Sequence, residues 1–154
     1  MGQPTRRHLV LNSVDEIVAE VERLAAAPVT TTGTHGFPEI VRHLALTNDM
    51  MTGRIAAPKP PLIMRLILPL IRSSILNGPV KPGVRLPAHA EATFWPDEDI
   101  AIADAITMLK ESVAHYKEHG PLPVHPIFGA ATREQLDRLT RSHAAMHLSF
   151  VHPS

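Results

Sequence analysis

The segment TREQLDRLTRSHAAMHLSFV, residues 132–151, decides the fold because it carries the clearest helical pattern of the chain. Its apolar positions follow one another at steps of three and four, the spacing of a helix that buries one face. Thr132, with Gln135 three residues later, predicts a capping box at the start of this helix. We therefore expect a buried face that includes a histidine, and this face consists of Leu136, Leu139, His143, Met146 and Phe150.

The same spacing predicts three earlier helices, over residues 14–27, 38–51 and 97–119. Ser13 and Glu16 predict a second capping box, at the start of the first helix. No segment alternates apolar and polar residues clearly enough to predict a strand. The fold class is therefore predicted to be all-α, with residues 1–154 forming a single domain that begins with an N-terminal arm at residues 1–12.

A long connection separates the second helix from the third. Residues 52–96 are far more than the two to eight residues that join neighbouring helices in a bundle. This length predicts a crossover along a four-helix bundle, in which the second and third helices point the same way. Within the crossover, residues 62–76 predict a short amphipathic helix bent at Pro69, whereas residues 77–96 are rich in proline and glycine and predict irregular structure.

The composition excludes several classes of function. Fifteen Lys and Arg balance fifteen Asp and Glu, so the chain has no surplus of positive charge for a nucleic-acid partner. The absence of cysteine excludes disulfides and thiolate ligands, and any thiol chemistry would require a low-molecular-weight thiol. The polar start lacks a secretory pattern, and the longest apolar run, residues 61–71, is too short to span a bilayer. We therefore expect a cytoplasmic protein without a membrane partner.

Two pairs of histidines have the spacing of neighbours on a helix, and their positions distinguish them. His143 lies within the predicted buried stripe and His147 borders it. Because a buried imidazole needs hydrogen-bond partners or a metal ion, this pair is a candidate metal site. His115 and His119 lie in the last turn before Gly120, where a cationic side chain complements the helix dipole, and a structural role is favoured for them.

A third histidine is expected beside the His143–His147 pair. His43 lies on the edge of the apolar stripe of the second helix, and antiparallel packing of this helix against the last one would bring all three rings to one end of the bundle. Three neutral histidines bind Zn²⁺, Ni²⁺, Fe²⁺, Co²⁺ or Mn²⁺ and leave a position for water or substrate. The alternative is three separately satisfied histidines. His125, expected at the opposite end near His115 and His119, makes that end a rival site.

Three motifs resemble an uncharacterised family of the DinB/YfiT-like metal-binding superfamily. They are IVRHLA at residues 40–45, HPIFG at 125–129 and SHAAMHLSF at 142–150. The resemblance implies an up-down-down-up four-helix bundle, frequently a homodimer, with a divalent metal held by His43, His143 and His147. It also implies transfer or isomerisation reactions with low-molecular-weight thiols, or the iron-binding domain of sulfoxide synthases. Those iron enzymes have a carboxylate where this chain has Ser149, so their oxygen chemistry is not expected here.

Residues of the crossover and the third helix are expected near the same end of the bundle. Glu91 and Asp104 are candidate proton acceptors for the site. The simpler interpretations are structural: Trp95 as a lid on the core, Asp97 as a helix-start residue, and His89 with Glu91 as solvated loop residues.

The leading hypothesis is a divalent-metal-dependent protein that acts on an unknown small molecule, as a transferase, isomerase or hydrolase. A second hypothesis is a non-catalytic stress or scaffold protein in which the histidine cluster is structural or vestigial. A third is a pH sensor, suggested by the ten histidines.

The apolar segment at residues 58–76 suits the contact of a homodimer, and attachment to a membrane surface is the less favoured alternative.

Overall fold

The computed structural model describes residues 4–154, so Met1, Gly2 and Gln3 of the predicted arm lie outside the described residues. Over residues 4–154 the chain is mostly helical, with six helices and four short strands. The helices are α1 (Val14–Ala25), α2 (Phe37–Met51), α3 (Leu62–Asn77), α4 (Ala88–Phe94), α5 (Ile102–His119) and α6 (Arg133–Leu148). The strands are β1 (Val29–Thr31), β2 (Val124–His125), β3 (Gly129–Ala130) and β4 (Val151–Pro153).

The four strands correct the expectation of a purely helical chain. Strand β1 pairs antiparallel with β4, with Thr30 opposite His152, and β2 pairs antiparallel with β3 around a turn that ends at Gly129. Gly129 has a φ of +74°, a conformation that favours glycine. Strands of two or three residues are too short to show an alternating pattern, which is why the sequence did not reveal them.

Three helices are shorter than expected: α1 ends at Ala25 instead of residue 27, and α5 and α6 each lose residues whose neighbours make other contacts. Helix α5 begins at Ile102, since the carbonyls of Pro96 and Glu98 accept hydrogen bonds from Arg42 and residues 97–101 remain outside the helix. Helix α6 ends at Leu148, since the following residues pair with β1. Tertiary contacts therefore override the helical periodicity at both places.

The helix starts were predicted more accurately. Thr132 accepts a hydrogen bond from the Gln135 N–H and the Gln135 side chain accepts one from the Thr132 N–H, which confirms this capping box. Ser13 accepts from the Glu16 N–H, but the Glu16 carboxylate accepts from the N–H of Asn12. Of the second predicted capping box, the hydrogen bond to Ser13 is present, whereas the Glu16 side chain binds a different N–H from the one predicted.

The crossover contains the expected helix and one more. Helix α3 includes Pro69 and packs against α6. Helix α4 corrects the expectation that residues 77–96 are irregular: it is a seven-residue helix that follows Pro87. Within residues 4–154, no helix has the length and apolar character that crossing a membrane requires.

Contacts at the helix ends show how the elements are oriented. Met51 at the end of α2, Tyr116 near the end of α5 and Leu136 near the start of α6 belong to one apolar cluster. Toward the other end, Arg42 in α2 contacts Glu98 just before α5. Helices α2 and α5 therefore run the same way, and α6 runs opposite to both. A larger apolar core, in which Val21, Val41 and Leu109 are fully buried, lies between α1, α2, α5 and α6.

Candidate metal centre

The structure brings the three predicted histidines together where the first half of α2 meets the end of α6. The Nε2 atom of His143 lies 3.3 Å from Nε2 of His43 and 3.2 Å from Nε2 of His147. The possible ligand atoms of the three side chains all lie within 4.8 Å of one another. His43 is buried and the other two are partly buried. Among residues 4–154 this is the one group of three or more such side chains with metal-binding spacing.

A main-chain carbonyl fixes the tautomer of His43. Its Nδ1 lies 3.0 Å from the carbonyl oxygen of Phe94, at the end of α4, and the Nδ1–H donates to that oxygen. In the neutral ring the lone pair is then on Nε2, which faces the other two histidines. A carbonyl partner on the remote nitrogen is the usual arrangement for a histidine that binds a metal.

An aromatic stack covers the same ring. Trp95 lies parallel to His43, with 3.9 Å between the ring centroids, and His35 stacks on Trp95 at 3.6 Å. The edge of His147 also approaches the indole, at 5.4 Å between centroids. Trp95 was expected to act as a lid, and here it covers a face of the His43 ring.

Arg42 holds the segment that supplies both contacts. Its guanidinium donates to the carbonyl of Pro96 at 2.5 Å and to that of Glu98 at 2.7 Å. The side chain is buried, so these hydrogen bonds are made away from bulk water. Because Arg42 precedes His43 in α2, the same turn of helix carries the ring and anchors the end of the crossover against it.

The pKa of each ring in the cluster is lowered. Burial lowers the pKa of His143 to about 4. Burial, followed by repulsion from His143, holds the pKa of His43 well below its ordinary value, against the opposing effect of the Phe94 carbonyl. Burial and the neighbouring histidines also lower the pKa of His147. All three rings are therefore neutral at pH 7, which is the form that binds a metal ion.

The spacing of the nitrogens fits a metal ion. Bonds of 2.0–2.1 Å in a tetrahedral arrangement separate two ligand nitrogens by about 3.3–3.4 Å. The two Nε2···Nε2 distances at His143 are close to this value. The donor set also fits, since three neutral imidazoles suit Zn²⁺ and the other divalent metals that favour nitrogen ligands.

The rival group of histidines does not assemble into a site. His115 and His119 stack on each other, and the His119 Nδ1–H donates to the His115 carbonyl. The buried His125 instead accepts hydrogen bonds at Nδ1 from the N–H groups of Ile127 and Phe128. The HPIFG motif is therefore a turn organised by its own histidine.

A cleft of about 380 Å³ lies next to the aromatic stack. Trp95, Glu91 and Asp97 line it, as do His35 and Glu39, but the three clustered histidines do not. Glu91 thus lines the cleft beside the stack, and its role as a proton acceptor stays a prediction. Asp104 does not line this cleft, and its role as a proton acceptor also stays a prediction.

Two other residues considered from the sequence are accounted for by other contacts. The imidazole of the exposed His89 lies 3.1 Å from the carbonyl of Lys59. The Ser149 hydroxyl is buried, donates to the Met146 carbonyl and accepts from Arg6. Both of these polar groups are thus engaged outside the cluster.

Three contributors were missed in the sequence. His35 precedes α2 in an irregular segment, and no periodic pattern relates it to Trp95. The Phe94 carbonyl is a main-chain group, which every residue has, so the identity of residue 94 does not indicate its role. Arg42 does carry a signal in the sequence: it is a charged residue on a turn of α2 where Val41 and Leu44 are apolar, and a buried charge requires partners.

Together these observations define a mostly helical protein with a tri-histidine cluster that has the spacing of a metal site. The chain belongs to the family described as protein of unknown function (DUF1569), whose profile matches residues 3–154. No curated protein and no solved structure matches the chain. Membership of an uncharacterised family is thus confirmed, and the link to the DinB-like superfamily stays a prediction.

Proposed function

We propose that His43, His143 and His147 bind one divalent metal ion through their Nε2 atoms, and that the protein acts on a small molecule there. The observation that carries the proposal is the convergence of three neutral Nε2 atoms. His43 presents a lone pair because its Nδ1–H is held by Phe94. The neutral ring of His143 has one N–H, which is not enough to form a full hydrogen bond with both neighbouring Nε2 atoms. A metal ion would instead accept a lone pair from each of the three nitrogens.

The ion would supply Lewis-acid chemistry, polarising a bound oxygen or sulfur ligand or lowering the pKa of bound water. The residues of the chain have two supporting roles in this proposal. The Phe94 carbonyl orients His43, and the indole of Trp95 keeps water from one face of its ring. A low-molecular-weight thiol remains a candidate co-substrate, because the chain itself has no cysteine.

The fold proposal is a DinB-like bundle of α1, α2, α5 and α6 in up-down-down-up order. The parallel course of α2 and α5 and the opposite course of α6 support it. So does the start of α1, where Asp15 pairs with Lys117 near the end of α5. The cytoplasmic location expected from the sequence stays a prediction.

The metal proposal is tested by titrating tag-free protein with Zn²⁺, Ni²⁺ and Co²⁺. Trp95 is the only tryptophan and stacks on His43, so its fluorescence should change as metal binds. We expect one ion per chain, measured independently by calorimetry and elemental analysis. The His143→Ala variant should bind at least about 100-fold more weakly, because it removes the nitrogen that contacts both others.

The matched control is the double variant His115→Ala/His119→Ala. It removes a histidine pair with the same spacing from the exposed end of α5 and should retain full affinity. Equal loss of binding in this control, or stoichiometric metal that survives alanine at all three clustered positions, would refute the assignment. Circular dichroism establishes that each variant remains folded.

The alternative is a non-catalytic stress or scaffold protein with a structural histidine cluster. It is favoured by the short Nε2···Nε2 contacts, through which a proton can be shared without an ion. On this alternative, His143→Ala lowers the free energy of unfolding in the presence of a chelator by as much as it does in the presence of metal. On the metal proposal, the loss is much larger with metal present, because ligand binding stabilises the folded state.

A further inference from the structure

Helix α3 exposes an unusual apolar face. Six of its leucines and isoleucines are exposed: Leu62, Ile63, Leu66, Ile67, Leu70 and Ile71. Three of them, the leucines, are between 76% and 82% exposed. Among the described residues only Val10, Val84 and Val124 are other large aliphatic side chains with such exposure, and they are scattered. A contiguous face of this kind marks a binding surface.

The six residues form a regular surface, which we call the α3 face. The leucines follow one another every four residues, and so do the isoleucines, so the face consists of two adjacent i, i+4 rows. Rows of this type pack into the grooves of another helix. The opposite side of α3 is already packed, because Leu68 and Leu76 are buried. Arg138 also donates to the Leu76 carbonyl. The α3 face therefore points away from the rest of the chain.

The extent of the face suits a stable dimer. Its six side chains expose roughly 700 Å² of apolar surface, near the ~800 Å² that each partner buries in an interface of standard size. A patch of this size exceeds the ~300–600 Å² of the largest apolar patch on a typical monomer. A second copy would cover it with an identical surface, which is the self-complementary arrangement of a two-fold interface.

The placement of charge favours a second copy over a lipid surface. The segment at residues 52–90 has six basic and no acidic residues, which is a composition that attracts anionic membranes. However, Arg72 lies four residues after the buried Leu68, on the side away from the α3 face, and only the exposed Arg65 borders the leucine row, three residues after Leu62. Arg72 is held there by the Phe128 carbonyl at 2.6 Å. The helix thus has one basic group at the rim of its apolar face, fewer than the Lys- and Arg-rich rim of a helix that lies in a membrane interface.

We propose that the α3 face is the surface through which two copies of this chain pair about a two-fold axis. The pairing uses none of the proposed metal ligands, because the α3 face consists only of exposed residues of α3. The two copies bury their leucine and isoleucine rows against each other, and the basic side chains of α3 remain outside the interface.

Analytical ultracentrifugation of the full chain tests the pairing. The wild-type protein should be dimeric at micromolar concentration, and Leu66→Glu/Leu70→Glu should weaken association at least about 100-fold by burying charge in the interface. Val10→Glu is the matched control: it makes the same apolar-to-acidic change at an exposed site elsewhere and should remain dimeric. Circular dichroism and retained metal binding show that the monomeric variant is folded.

A cross-linking measurement is independent of variant stability. The chain contains no cysteine, so cysteines introduced singly by Ile63→Cys, Leu66→Cys, Ile67→Cys and Leu70→Cys are unique. At least one should form an interchain disulfide under mild oxidation, whereas Val10→Cys should not.

A monomeric wild-type protein, or a dimer that the double glutamate variant leaves intact, overturns the proposal. Co-flotation of monomeric protein with phosphatidylglycerol vesicles, but not with phosphatidylcholine vesicles, would assign the face to a membrane instead and also overturns it.

Discussion

At the scale of single residues, the protons on the imidazole rings determine what the site can do. The Phe94 carbonyl takes the Nδ1–H of His43 and leaves its Nε2 lone pair facing His143 and His147. Burial keeps the rings neutral by lowering their pKa values. On the proposed function, binding of a metal at pH 7 therefore releases few protons.

Trp95 is expected to position His43 for binding. Because the indole lies flat against the ring, Trp95→Ala should weaken the affinity for Zn²⁺ about 10-fold, in the range found when a residue that supports a metal ligand is removed. Trp95→Phe retains an aromatic face and should restore most of the affinity. Calorimetry measures both variants, since neither has tryptophan fluorescence. Equal affinities for wild type and Trp95→Ala would show that stacking has no positioning role.

His125 gives the protein a dependence of stability on pH that is separate from the metal site. Burial lowers its pKa to about 4, whereas the unfolded chain takes up a proton near the ordinary value of 6.5. As the pH falls from 6.5 to 4, protonation therefore favours the unfolded state, and this residue should lower the free energy of unfolding by about 2–3 kcal/mol. Urea denaturation at several pH values measures it. His125→Ala should flatten the profile, and an unchanged slope would contradict the assignment.

The sequence contained part of the site and left out the rest for identifiable reasons. His143 was predictable because it interrupts an apolar stripe, and His43 because antiparallel helices bring its turn to the same height. The contribution of His35 was not predictable, because it depends on stacking against Trp95, which lies 60 positions later in the chain. Side-chain stacking between irregular segments has no periodic signature.

At the scale of elements, long amphipathic helices were predictable and short elements were not. Helices α1, α2 and α6 begin within a residue of the expected positions because caps and apolar spacing agree there. Helix α4 has only seven residues, and β1 and β4 only three each, so their stability comes from contacts with the rest of the fold. The start of α5 shifted to Ile102 for the same reason, through the contacts of Arg42.

Arg42 should stabilise the end of the crossover. Its hydrogen bonds to the Pro96 and Glu98 carbonyls are buried, so Arg42→Ala should lower the free energy of unfolding by about 2–3 kcal/mol. Hydrogen exchange should increase at residues 94–98. Arg54→Ala is the control, because the exposed pair with Asp49 should contribute less than about 1 kcal/mol. Unchanged exchange at residues 94–98 in Arg42→Ala would show that the anchor is not needed.

At the scale of the whole molecule, the crossover contributes to both the α3 face and the cover over the histidine cluster. Its first helix, α3, presents an apolar face outward, and Phe94 and Trp95 near its end contact the His43 ring of the cluster. The long connection lets α2 and α5 run the same way, which leaves α6 antiparallel to α2 and brings histidines 100 positions apart into contact. The histidine cluster is thus a product of chain topology.

Anomalous scattering from a crystal of the zinc-loaded protein tests the metal centre most directly. We expect one peak at the zinc edge, bonded to Nε2 of His43, His143 and His147 at about 2.0–2.1 Å. A peak at any other group of residues, or no peak while the three rings keep their mutual contacts, would contradict the assignment.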